Sequence, residues 1–110
     1  MGNLPEAVEQ YLVRCFAAGI PPRVDELARE LALHPSALSR DFKLSTGSGL
    51  SLVLKNAQVE EAKRLLSSTR LGIHEIARRA GFGTPNTPFR IFRARVGMTP
   101  DHYRRTASRA

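Results

Sequence analysis

The 110-residue sequence predicts an all-α fold, and three observations carry that expectation. Apolar residues recur at helical spacing along the chain, and no stretch alternates with period two for long enough to make a strand. Prolines and glycines fall between the periodic stretches, where helices have to stop. One arrangement of helix, short turn and helix occurs twice, so the chain reads as an internal duplication.

Asn3 and Glu6 make a capping-box-like start to a first helix. It ends near Ala18, with Gly19 as its stop and Pro21-Pro22 blocking continuation. Within it, Cys15 falls in register with Val8, Tyr11, Leu12 and Phe16, which predicts a buried apolar thiol. Val24, Leu27, Ala28 and Leu31 form the i, i+3, i+4, i+7 stripe of a second helix. His34-Pro35 breaks that helix, and Pro35 suits the first turn of a third, which buries Leu38 and Phe42 and ends by Gly47.

Residues 50–69 read as one helix of about 30 Å. Its apolar stripe changes direction halfway: Leu50, Val53, Leu54 and Ala57 face one way, and Val59, Ala62, Leu65 and Leu66 point roughly 140° around the axis. A helix packed on a single core has no reason to do that, so its two ends are expected to dock on two small bodies. Ile73, Ile76, Ala77 and Ala80 then repeat the stripe of Val24, Leu27, Ala28 and Leu31, and Phe92 and Gly97 repeat Phe42 and Gly47. The expected organisation is an N-terminal helix with a first unit over residues 1–49, a connecting helix over 50–69, and a second unit with a short C-terminal helix over 70–110.

The formal charge is +7, with 17 Lys and Arg against 10 Asp and Glu. Residues 1–62 hold 6 basic and 8 acidic side chains and residues 63–110 hold 11 and 2, giving −2 and +9, so an anionic partner should sit mainly on the second half. Nucleic acid is the first partner this balance suggests. No apolar run approaches a membrane span of ~20 residues, and the N-terminus has no basic region followed by an apolar stretch. A cytoplasmic, nucleoid-associated location is the expectation. His34, His74 and His102 lack ligand partners at metal spacing, so no metal or other cofactor is expected. Ser36, Asp41 and His34 lie around one short helix without a nucleophile elbow, and Gly81-Phe82-Gly83 follows a helix rather than a strand. An enzyme is not expected.

Four ordered blocks carry a family resemblance. They are Leu27-Ala28 with Leu38-Ser39-Arg40-Asp41-Phe42; Ala62-Lys63-Arg64-Leu65-Leu66; Ile73-His74-Glu75-Ile76-Ala77 with Gly81-Phe82; and Gly97-Met98-Thr99-Pro100-Asp101-His102-Tyr103-Arg104. Over roughly residues 20–105 the chain resembles the DNA-binding domain of the AraC/XylS family of bacterial transcription regulators. The resemblance implies two homeodomain-like helix-turn-helix units in tandem, joined by a long helix, each placing its second helix in a major groove. It also implies a transcription factor, expected here to be an activator with RNA polymerase as a further partner. His34 stands where the family usually has a Ser or Thr cap, Arg23 where it prefers a helix cap, and Gln58 where it commonly has a basic residue.

On the third helix Ser36, Ser39, Arg40 and Lys43 lie opposite Leu38 and Phe42. Arg pairs bidentately with guanine and Ser serves base edges, so Ser36, Ser39 and Arg40 are expected to read bases and Lys43 to meet a phosphate. Asn86, Thr87, Arg90 and Arg93 oppose Phe92 and Val96 in the second unit. Asn86, Thr87 and Arg90 are the expected base readers there, and Thr84, Arg93 and Arg95 the expected phosphate ligands. Pro85 and Pro88 disturb this part. The least costly arrangement starts the helix with Thr87 as cap and Pro88 first, leaving Asn86 in the loop, so the second unit is expected to add affinity more than specificity. The tandem units imply a monomer on an asymmetric site. A protein-interaction module such as an anti-activator and a non-specific DNA-coating protein are the two rival readings.

Overall fold

The computed structural model describes the backbone of residues 3–82 and 86–108, and the side chains of 3–82 and 90–107. Its described residues form seven helices and no strand: α1 Leu4–Ala18, α2 Val24–Glu30, α3 Pro35–Thr46, α4 Leu50–Ser68, α5 Ile73–Arg79, α6 Asn86–Val96 and α7 Pro100–Ser108. They fill an elongated body of 45 × 26 × 23 Å.

Local chemistry sets the helix ends. The Asn3 side chain accepts from the Glu6 N–H at 3.3 Å and starts α1. Gly19 ends α1 in the left-handed region, with φ 69°. His34 caps α3 through its ring: Nδ1 accepts from the Ser36 N–H at 3.3 Å and lies 2.8 Å from the Ser36 hydroxyl. Arg23 precedes α2 without a side-chain cap, and its own N–H donates instead to the Tyr11 hydroxyl at 2.9 Å. That hydroxyl donates to Glu26 Oε1 at 2.7 Å, so one buried tyrosine of α1 holds the start of α2.

The two turns after α2 and α5 are built alike. Ala32 N donates to the Arg29 carbonyl and Leu33 N to the Ala28 carbonyl; Gly81 N donates to Arg78 and Phe82 N to Ala77. Each is the Schellman closure, which needs one residue at positive φ. Ala32 supplies it at 57° and Gly81 at 79°.

Two apolar cores result. The first gathers Val8, Tyr11, Cys15, Leu27, Ala28, Leu38, Phe42, Leu50 and Leu54; the second gathers Val59, Ala62, Leu65, Leu66, Ile76, Ala80 and Phe92. Helix α4 contributes to both, one end each, as its two-faced stripe predicts. Cys15 is buried, and burial pushes its thiol up from the ordinary range. Helix α7 closes the second core: Tyr103 meets Phe92 edge to face at 5.8 Å, while the Arg104 guanidinium donates to the Leu66 and Thr69 carbonyls at the end of α4.

One expectation is corrected. Helix α6 begins at Asn86, so Asn86 lies in its first turn rather than in the preceding loop, and Pro88 is the third helical residue instead of the first. The amides of the first turn have no intrahelical acceptor, so a proline in that third position forfeits no helix hydrogen bond. Thr84 and Pro85 lie outside the described residues, as do the side chains of Asn86, Thr87, Pro88 and Phe89.

Candidate nucleic-acid interface

Helix α3 buries Leu38 and Phe42 at 0% and 3% exposure, which turns its opposite side outward. Ser36, Arg40 and Lys43 are exposed there and Ser39 is half-buried beside them. The spacing 36, 39, 40, 43 is one helix face, so the four side chains predicted to meet DNA stand together. Arg40 lies 3.5 Å from Asp41 with its side chain 69% exposed, a loose pairing that leaves its guanidinium available. The imidazole of His34 stands at the N-terminal end of the same face.

In the second unit Phe92 is buried and Arg90 and Arg93 are exposed, lining one open depression with Ala94, Thr99 and Pro100. Arg95 does not join them. It is turned towards α4, where its Nη1 donates to Asn56 Oδ1 at 2.6 Å, so α6 crosses the connecting helix on that side. Arg90 and Arg93 therefore form the described cationic face of α6, and Arg95 links two helices.

The ion pairs separate structural cations from available ones. Arg14 pairs with Glu30, Lys63 with Glu60, Arg64 with Glu61, Arg78 and Arg79 with Glu75, and Arg105 with Asp101. Arg78 and then Arg79 hold the Glu75 carboxyl down at about 2, well below the usual carboxylate range. Arg29, Lys43, Lys55, Arg70, Arg90 and Arg93 have no such partner among the described residues. These are cations that a phosphate backbone would neutralise first, because no carboxylate competes for them.

In this region Lys55 escaped the sequence reading, and Gln58 entered it only as a departure from the family's basic residue. Lys55 lies on the exposed side of α4, in a groove shared with Arg23, Pro35 and Ser51, next to the N-terminal end of α3. Gln58 is the buried polar side chain of α4, at 9% exposure; its Nε2 donates to the carbonyls of Gly81 at 2.9 Å and Ala80 at 3.4 Å. A basic residue in the same place would bury a charge against those carbonyls, at greater desolvation cost.

Among the described residues no cluster of three or more His, Cys, Asp or Glu side chains could hold a metal ion, and no helix is long and apolar enough to cross a membrane.

A model of a helix-turn-helix domain matches residues 27–106. The chain is 38% identical over 88 residues to an HTH-type transcriptional regulator of Mycobacterium tuberculosis, a match covering 80% of this chain and 34% of that protein. It thus spans about a third of that relative's length. Among solved structures it is similar to the C-terminal domain of AraT, a response regulator from Geobacillus stearothermophilus, with TM-score 0.85, 32% identity, and coverage of 96% of this chain and 86% of the other. It is also similar to the DNA-binding domain of AdpA, a global transcriptional factor, in complex with a target DNA; there the TM-score is 0.84, the identity 28%, and the coverage 96% and 93%.

Proposed function

Because the chain belongs to the AraC/XylS family of helix-turn-helix proteins, we propose that it binds double-stranded DNA in a sequence-specific way and regulates transcription. Its organisation in this reading is a first unit over residues 1–49, a connecting helix over 50–69 and a second unit over 70–110. Helices α3 and α6 are the reading elements. Helix α4, about 28 Å long at ~1.5 Å per residue, spaces them for adjacent major-groove segments about one DNA turn, ~34 Å, apart.

The observation that carries the reading is the outer face of α3. Ser36, Ser39, Arg40 and Lys43 are presented together while Leu38 and Phe42 lock the helix from behind. Ser36, Ser39 and Arg40 read bases, and Lys43 holds a phosphate. In the second unit Asn86, Thr87 and Arg90 read bases, and Arg93 and Thr84 meet phosphates. Arg95, bonded to Asn56, is the least available of the cations first assigned to DNA. The chain acts as a monomer on an asymmetric site, in the bacterial cytoplasm. Activation through RNA polymerase is part of the same reading.

Selection of bound sequences from a random duplex pool tests this. An enriched asymmetric motif is the expected result. Binding of every sequence within a few-fold would make the protein a DNA coat, and the absence of salt-dependent binding would make it a protein-interaction module.

A further inference from the structure

The two units touch each other directly as well as through α4. The turn that closes α5 sits against the loop between α1 and α2. A Cβ added at Gly81 would lie 3.0 Å from Pro22 Cδ, 3.1 Å from the Ile20 carbonyl oxygen and 3.1 Å from Pro21 Cα. From the other side, a Cβ at Gly19 would lie 3.0 Å from the Arg78 guanidinium. Gln58 anchors the same turn from below, donating to the Gly81 and Ala80 carbonyls from a point on α4 between Leu54 of the first core and Val59 of the second.

This closeness is not a property of the turn itself. Ala32 holds the equivalent place in the first unit, exposed and carrying its Cβ. Gly47 and Gly97 also have positive φ, yet a Cβ at either would meet nothing within 4 Å. Gly81 is thus confined by what it packs against as well as by its φ.

We propose that residues 19–22, the turn at 78–81 and Gln58 form a latch that fixes the rotation of the second unit about the connecting helix, and so sets the spacing between the two half-sites that the protein accepts. Each unit grips α4 through its own stripe, which leaves rotation about the helix axis as the soft coordinate. A second contact away from that axis removes it. On DNA this matters because each base pair added between the halves moves the second by ~3.4 Å and turns it by about 34°. Gln58 and Gly81 are positioning residues here: they touch no base, and they act through the placement of α6. The inference rests on the two-unit DNA-binding reading.

The test is affinity for the selected site and for versions with one base pair inserted or removed between the halves. The wild-type chain should lose at least about tenfold at either altered spacing, the scale of one disrupted base contact. Gly81→Ala and Gln58→Leu should each shrink that loss to less than about threefold, whereas Gly97→Ala, which strains the backbone in open space, should keep it. Helical circular dichroism checks folding; if Gly81→Ala does not fold, Gln58→Leu decides. Variants that bind more weakly by one uniform factor but keep the wild-type spacing penalty overturn the latch, as does a wild-type chain indifferent to spacing. A wild-type chain with no preferred site overturns the DNA-reading proposal itself, which is a different result.

Discussion

Ala32 and Gly81 occupy the same place in two copies of one turn, with matching hydrogen bonds and positive φ, but only Gly81 has the other unit's chain against it. The left-handed region costs an L side chain about 1 to 2 kcal/mol, and glycine gives back part of that through the freedom of its unfolded chain. Ala32→Gly should therefore raise stability by about 0.5 kcal/mol. A urea titration checks it: the midpoint rises with unchanged slope, and a lower midpoint contradicts the account.

Tyr11→Phe should destabilise the chain by about 1 to 3 kcal/mol, because the Arg23 N–H and the Glu26 carboxylate both lose a partner. Burial, then the bond to Glu26, raises the Tyr11 hydroxyl above its ordinary 10.0. The folded chain thus holds that proton more tightly than the unfolded one, and its contribution is complete below pH 10 and is lost as pH rises beyond. Alkaline denaturation followed by circular dichroism should show this loss in the wild type and lack it in the phenylalanine variant.

Salt should weaken DNA binding steeply. Roughly 5 to 8 neutralised phosphates give a log–log slope near −4.5 to −7, at about −0.9 per contact. Arg93→Ala should make the slope shallower by about 0.9. Arg95→Ala, with its guanidinium on Asn56, should leave it almost unchanged. Equal changes in the two would return Arg95 to the DNA face.

Arg40→Ala should cost about 1 to 3 kcal/mol on the selected site and flatten preference at one base pair. Lys43→Ala should weaken selected and random DNA by the same factor. Competition binding against random duplex separates the two, and a uniform loss for Arg40→Ala would make Arg40 a phosphate ligand.

Helix α6 begins early enough to place Asn86 and Thr87 in its first turn. Mismatches in the second half-site should then cost as much as those in the first, ~1 to 3 kcal/mol each. Site variants scrambled one half at a time measure this, and clearly smaller penalties in the second half would restore the weaker role expected from the prolines.

The helices, their duplication and the outer face of α3 were legible because each depends on residues three or four apart, which one helix brings together whatever surrounds it. Gln58 was not. A glutamine on a helix reads as solvated, and its acceptors are carbonyls 22 and 23 residues away. Arg95 is a related case: the pattern gives a basic side chain on α6, but only the crossing of α6 over α4 shows that it meets Asn56. The start of α6 was placed too late because a proline is tolerated throughout the first helical turn, so Pro88 bounds the start without fixing it.

Helix α4 lends Leu50 and Leu54 to one core and Val59, Ala62, Leu65 and Leu66 to the other, so neither core has a wall of its own on that side. Fraying of either half strips partners from a helix the other half needs. Heat or denaturant should consequently take the molecule apart in a single cooperative step, and neither half cut from the helix should survive alone. Two similar halves that share one helix in this way should stand or fall together.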